Sequence, residues 1–516
     1  MRSALGSAFR FNLEKALSQT PLFKTERDRR LFWGALLLNL IAFGVFLTHH
    51  MLHNHSPRFP WIDETDQWFA GRWFNFFLIK ANYSADMPVL GPLIGILFSV
   101  IAGLLTLKLW RLKLTAIEEF IALGMITVFP ISLVYFYYTY QTPLFCISLL
   151  FSAAAVMLVS RFSFWRLGLG TVCALLAFAS YQPSFSVMMT LVISAFIARM
   201  IADEDNSPLA ASKLAALQAS SIVLGAMLYK ASLAALNIGD SRTTATVSLN
   251  ELPDKLAKVV EASFNHLTMT QPDLLFTVKA LLAVLLALGV LSSLAKLRRK
   301  PVSLLIVAVA WIALVLATKA MFLISADGSF FNYRYNMAMA FLHAFSFAAL
   351  IHCVGAPVLR SAALALGAFL VLRFVQADLV RQEVLYRGEQ HDLALANRLL
   401  TRMENLPELD ITKTYDLVRI GKYSQFRQNA LSYREKKADA YGDTHMDGGE
   451  VTDRWADEQV FIMLGSKIDF LYKGPSDPDF MSKAETARAT LLAGRKPWPH
   501  ASSVFIEGQT IYIYMN

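Results

Sequence analysis

VLGPLIGILFSVIAGLLTLKLWRLK, residues 89–113, decides the fold. Residues 89–107 carry no charge and approach the roughly 20 apolar residues a helix needs to cross a bilayer. The run then meets Lys108, Arg111 and Lys113, the cationic edge expected on the cytoplasmic side of a membrane. Similar runs recur at about 31–48, 117–136, 143–160, 167–180, 184–202, 214–236, 275–295, 302–324, 335–354 and 361–376. With the quoted stretch they predict a polytopic α-helical membrane protein of about 11 transmembrane helices. The pair 167–180 and 184–202 also reads as a re-entrant hairpin, which leaves the parity of the count unchanged. Composition agrees, because the 516 residues are 55% hydrophobic and only 17% charged, against about 25% charged in soluble domains.

Orientation follows from Lys and Arg. The segment 1–30 reads as a cytoplasmic basic arm with Arg2, Arg10, Lys15, Lys24, Arg27, Arg29 and Arg30, and no signal-peptide cleavage pattern follows the first run. Alternate connections repeat the bias: Arg161 and Arg166, Arg199 and Lys213, Lys296 to Lys300, then Arg360. The net charge of +9 is thus mainly a topology signal; no basic stripe on a soluble face points to nucleic acid. The membrane domain is placed at 31–376, with its first periplasmic loop at 49–88. Residues 377–516 are expected to form a small α+β C-terminal periplasmic domain. It opens on an amphipathic helix over 379–406 and closes on a hairpin of Ser503–Ile506 with Ile511–Tyr514. All three cysteines, Cys146, Cys173 and Cys353, fall inside apolar runs, so no disulfide framework is expected.

The richest polar stretch is WIDETDQWFAGRWF, residues 61–74. Asp63, Glu64 and Asp66 precede Arg72, which is flanked by Trp68 and Trp73. A carboxylate at a membrane surface can serve as general base for a sugar hydroxyl. Arginine's planar fork suits a phosphate. The competing reading is a solvated acidic turn followed by an interfacial aromatic belt with a snorkelling arginine. Lys319 and Arg334 lie near the outer ends of later runs, where an ionisable group faces a cavity or partner rather than lipid; snorkelling is the alternative, and the better one for Lys230. Two tight hairpin tips share a signature, Tyr140-Gln141-Thr142-Pro143 and Tyr181-Gln182-Pro183. Tyr and Gln supply hydrogen bonds suited to a sugar, while a plain hairpin turn would need the same residues. His49, His50, His53 and His55 have no fixed carboxylate or thiol partner and read as interfacial histidines rather than a metal site. The acidic residues Asp439 to Asp453 match no calcium loop. No phosphate-binding Gly-Lys-Ser/Thr loop, dinucleotide fingerprint or Gly-x-Ser-x-Gly elbow occurs.

Gly71-Arg72-Trp73 after acidic residues, Ser180-Tyr181-Gln182 at a hairpin tip, and the ending Pro497-Trp498-Pro499 … Ser503-Val504 … Gly508 … Ile511-Tyr512-Ile513 resemble one family. It is the membrane glucosyltransferase family of O-antigen modification, the serotype-converting glucosyltransferase II type of bacteria and their prophages. The resemblance runs in order over nearly the whole chain on short motifs. It implies a GT-C-like fold in the bacterial inner membrane, with the N-terminus cytoplasmic and the active site and C-terminal domain periplasmic. It also implies transfer of glucose from undecaprenyl phosphate, a polyprenyl-phosphate sugar donor, to a lipid-linked glycan acceptor such as O-antigen. The base would be Asp63 ahead of Asp66, with Glu64 also in the set. Arg72, Lys319 and Arg334 would hold the donor phosphate, and Trp68, Trp73, Tyr140, Gln141, Tyr181 and Gln182 the sugar or acceptor. No cofactor or metal is indicated, although a divalent cation stays open. Three other readings remain: a GT-C transferase with another donor or acceptor, a non-enzymatic assembly protein, and a flippase for lipid-linked saccharide. The last predicts inverted repeats and midplane ionisable groups, whereas the polar residues here gather toward one face.

Overall fold

A computed structural model describes residues 25–49, 64–82, 84–85, 87–136, 140–161, 163–202, 207–239, 249–268, 276–324, 333–421, 460–471 and 478–515. The first apolar run forms α1 (Glu26–Ala42) and α2 (Gly44–Thr48), broken at Phe43. The first long loop contributes two short helices, α3 (Thr65–Phe69) and α4 (Trp73–Ala81). Then follow α5 (Leu90–Trp110), α6 (Ala116–Thr127), α7 (Leu133–Phe136), α8 (Thr142–Leu158), α9 (Phe164–Ser180), α10 (Ser184–Ala202) and α11 (Pro208–Ala235). An amphipathic α12 (Leu252–Thr268) lies in the connection that follows α11. The bundle ends with α13 (Phe276–Lys296), α14 (Pro301–Ala317), α15 (Met321–Ile324), α16 (Ala338–Cys353) and the 48-residue α17 (Pro357–Glu404).

Local chemistry sets these boundaries. Thr25 with Asp28 and Thr115 with Glu118 form reciprocal capping boxes at the starts of α1 and α6. Proline opens α11, α14 and α17, where the missing N–H is no loss. Pro130 instead interrupts a run, and the chain bends by 41° between α6 and the segment Pro130–Phe136. Every predicted apolar run is helical, but not equally long. Five helices (α5, α10, α11, α13 and the inner part of α17) are long and apolar enough to cross a membrane, and the bent pair makes six. Helices α8, α9, α14 and α16 have 16 or 17 residues, about 25 Å at 1.5 Å per residue and short of a hydrocarbon core of about 30 Å. The count of about 11 crossings therefore stays an expectation. Close helix packing depends on missing side chains: a Cβ on Gly95 would come within 2.6 Å of Thr142, and one on Gly289 within 2.7 Å of the Ser346 carbonyl.

The expected change of domain at 376/377 falls within one continuous helix. The inner part of α17 packs in the bundle through Leu370, Val371 and Phe374. Its outer part buries Leu395, Leu399 and Met403 against a sheet of β1 (Thr414–Ile420), β2 (Asp469–Phe470), β3 (Val504–Glu507) and β4 (Thr510–Tyr514). Strand order is β2-β1-β4-β3. The hairpin β3–β4 is antiparallel and turns at Gly508, whose φ of 61° suits a two-residue turn. Strand β1, which the sequence reading missed, is parallel to both β2 and β4. It presents Tyr415 and Leu417 to α17, and Val418 and Ile420 to the opposite core containing Ala484 of α18 (Pro478–Thr486), Phe505 and Tyr512. The small α+β region is thus a mixed sheet between two helices.

Candidate active site

The site begins at the end of α3. Gly71 adopts φ 73°, a left-handed conformation that costs glycine nothing and an L-side chain about 1 kcal/mol or more. Its N–H donates to the Trp68 carbonyl, and the N–H of Arg72 donates to the Gln67 carbonyl at 2.8 Å. This glycine-ended cap stops the helix and fixes the direction in which Arg72 leaves it. Arg72 crosses to the tip between α9 and α10: its Cζ lies 5.0 Å from the Tyr181 ring centroid, and its Nε donates to Gln182 Oε1 at 3.4 Å.

Gln182 is fully engaged. Its Nε2 donates to the Ala70 carbonyl at 2.7 Å and to the Tyr229 hydroxyl at 3.0 Å, and that hydroxyl donates to the Gly71 carbonyl at 3.1 Å. Buried Asn75 donates to the Ser180 carbonyl at 2.8 Å and to Gln67, and Trp73 Nε1 donates to Ser232 at 2.9 Å. The first loop is therefore clamped to the end of α9, to Gln182 at the tip before α10 and to α11, through the Ala70 and Gly71 carbonyls and the side chains of Arg72, Trp73 and Asn75.

Tyr181 is buried among Phe145, Tyr135 and Tyr335, with ring centroids at 4.6, 5.9 and 6.2 Å. Tyr335 belongs to the turn Tyr333–Asn336, and Asn336 accepts a hydrogen bond from Lys319 Nζ. Lys319 is 0% exposed and its other near neighbour is the Met339 sulfur at 3.9 Å. Among the described residues no carboxylate pairs with it. A contiguous path thus runs from Arg72 through Tyr181, Tyr335 and Asn336 to Lys319, joining segments about 250 residues apart by number. All of them meet at one end of the bundle, opposite the basic edge of Lys108, Arg111 and Lys113.

The remaining candidates sort as follows. Asp63 lies outside the described residues. Asp66 stands on α3 and Arg334 in the turn Tyr333–Asn336, adjacent in sequence to Tyr335. Glu64 Oε2 accepts from Ser84 at 2.9 Å, which ties the start of α3 to the end of the loop. Trp68 packs on α4, its ring 4.8 Å from that of Phe76. At the other tip Gln141 Nε2 donates to the Tyr140 hydroxyl at 2.5 Å, and Tyr140 packs against Ile79 of α4 and Leu144. Tyr140, Gln141 and Tyr181 are thus walls rather than exposed contacts. Lys230 is exposed, as snorkelling requires. His49 packs against Tyr386 with the rings tilted and their centroids 4.3 Å apart; His50, His53 and His55 lie outside the described residues. Among the described residues no group of three metal-ligating side chains occurs. The sequence reading missed Asn75, Tyr229, Ser232 and Asn336. Each was visible only as a lone polar residue beside or within an apolar run.

Fold and site together define a membrane-helical protein with cationic, aromatic-walled chemistry gathered at one end of its helices. The chain belongs to the family described as Glucosyl transferase GtrII, whose family model matches residues 63–345. That family makes the protein a glycosyltransferase, and the matched segment spans the three loop carboxylates, Arg72, Lys319 and Arg334. No curated protein and no solved structure matches the chain.

Proposed function

We propose that the protein transfers glucose from a polyprenyl phosphate, undecaprenyl phosphate in bacteria, to a lipid-linked O-antigen or related glycan at the outer face of the inner membrane. The observation that carries this reading is Lys319, a buried cation whose described partner is a neutral amide, linked through Tyr335 and Tyr181 to Arg72 in a glucosyl transferase chain. A buried ammonium without a carboxylate is costly; an anionic group brought by the substrate removes that cost. A lipid phosphate supplies one at the membrane surface.

In the proposed reaction a first-loop carboxylate, Asp63 ahead of Asp66 or Glu64, takes the proton of an acceptor hydroxyl. The acceptor oxygen attacks the anomeric carbon. The bond from that carbon to the phosphate oxygen breaks, and polyprenyl phosphate leaves with the electron pair. Arg72, Lys319 and Arg334 hold the departing phosphate, matching the charge as it develops. One displacement inverts the anomeric centre. Trp68 and Trp73 are assigned to the sugar or acceptor, with Tyr140, Gln141, Tyr181 and Gln182 shaping the walls around it. Orientation with the C-terminal sheet region periplasmic, a GT-C-like architecture and 11 crossings belong to the same proposal.

The test is purified full-length protein in vesicles with labelled polyprenyl-phosphate glucose and a lipid-linked glycan. Label should appear in the glycan with inverted configuration, and Asp63→Asn should abolish transfer while leaving expression intact. Activity retained in Asp63→Asn moves the base to Asp66 or Glu64. Failure of transfer from every polyprenyl-phosphate sugar, with protein-dependent movement of lipid-linked saccharide across the vesicle, overturns the transferase reading.

A further inference from the structure

Two helix interruptions converge beside α17. Helix α1 ends at Ala42, and Phe46 N–H donates to the Phe43 carbonyl, so the Ala42 carbonyl loses its usual helical partner. Gln382 of α17 replaces that partner: its Nε2 donates to the Ala42 carbonyl at 2.6 Å and to the Asp378 carbonyl at 2.9 Å. The second interruption is at Pro130, which has no N–H to offer the preceding turn. Phe129 packs edge-on against Phe374 of α17 at 5.2 Å, one turn before Asp378.

Asp378 and Gln382 are one helical turn apart, and both are 0% exposed. Among the described residues no donor reaches either Asp378 carboxylate oxygen, and none reaches Gln382 Oε1. No hydrogen bond from neighbouring Arg381, itself buried, reaches those oxygens. One turn inward on α1, Asn39 spends its Nδ2 on Ala35 and Thr127, and its Oδ1 also lacks a donor. The place is rich in acceptors and poor in donors. Its surroundings are otherwise apolar: Phe43, Phe46, Phe136 and Phe374 belong to the same core.

We infer that Asp378 and Gln382 hold a monovalent alkali cation at the junction of the two broken helices. The ligand class follows from charge and atom type. The oxygens are hard donors, a carboxylate and an amide, which suit alkali and alkaline-earth ions rather than soft metals. Asp378 is the one carboxylate among these oxygens, so when ionised it is neutralised by one monovalent ion, whereas a divalent ion would leave an uncompensated charge in an apolar interior. The ion pins the outer ends of α1 and α6 to the long helix that continues into the sheet region. This site is separate from the proposed transfer chemistry and does not depend on it.

The experiment is thermal unfolding of the purified full-length protein in detergent, read by tryptophan fluorescence. Salt is varied between NaCl, KCl and choline chloride at constant ionic strength, with MgCl2 added to choline chloride in a separate arm. A ligand bound only by the folded state raises the midpoint with its concentration. The expected result is a midpoint several degrees higher in NaCl or KCl than in choline chloride, saturating with salt, and flat in Asp378→Asn. Equal midpoints in the three salts for the unaltered protein overturn the inference, whatever the variant does. So does a shift produced by Mg2+ and by neither alkali ion, or an alkali shift that persists in Asp378→Asn.

Discussion

Arg72 stands over the face of Tyr181, its Cζ 5.0 Å from the ring centroid, on a tyrosine that is itself buried by three other aromatic rings. The ring holds the guanidinium by its face, and the hydroxyl is not part of that contact. Tyr181→Phe should therefore keep most of the transfer rate, whereas Tyr181→Leu should lower it about tenfold, the equivalent of a cation–π contact of about 1–2 kcal/mol. Initial rates of glucose transfer by the two variants check this. Equal loss in both would assign the effect to the hydroxyl instead.

Tyr229 acts one step further away. Its hydroxyl accepts from Gln182 and donates to the Gly71 carbonyl, the residue that turns the chain toward Arg72. Tyr229→Phe leaves both partners buried and short of one bond, at a cost of about 1–3 kcal/mol. The unfolding midpoint should fall, and kcat should fall more than KM changes, because the variant misplaces Arg72 without removing any group that binds substrate. Gln182→Ala should do the same more severely, since three bonds are lost together.

At the opposite end of the bundle, Glu118 grips Arg360 with two bonds of 2.6 and 2.7 Å while capping α6 through the Thr115 N–H at 2.6 Å. Glu118→Gln keeps the shape and loses the charge. A destabilisation of about 1–2 kcal/mol is expected, held down by the partial exposure of Arg360. A double-mutant cycle with Arg360→Gln should show that most of this loss is shared by the pair, with transfer activity at permissive temperature unchanged.

Much of this was legible in the sequence because periodicity and charge are local signals. The helices, the basic edge and the β3–β4 hairpin all announce themselves within a window of some ten to twenty residues. What was not legible depends on contacts between distant segments. Nothing near Tyr181 says that Tyr335 will lie beside it, or near Lys319 that Asn336 will accept from it. Strand β1 carries Asp416 and Arg419 among apolar residues and is buried on both faces, so it lacks the clean alternation of a half-exposed strand. The break at Phe43 has no proline, and Gly44 alone is a weak mark inside an apolar run.

Lys319 gives the sharpest separation of stability from function. The side chain is buried, and its described partners are the Asn336 amide oxygen and the Met339 sulfur. If the ammonium were structural, removing it would unfold the protein. If it waits for a substrate phosphate, the resting protein bears the desolvation of a charge with no opposite charge to offset it. Lys319→Met keeps the length and apolar volume while deleting that charge. The unfolding midpoint should then stay level or rise by a few degrees, since replacing a buried charge by a well-packed apolar group is often neutral or stabilising. Transfer should fall by at least about a hundredfold, the loss of roughly 3 kcal/mol of transition-state stabilisation. Lys319→Arg, which keeps the charge in a bulkier fork, should fold less stably but recover part of the rate. The two readouts move in opposite directions for these variants only if the buried charge is there for an incoming anion. A Lys319→Met protein that is both unstable and inactive would make the lysine a structural tie to Asn336.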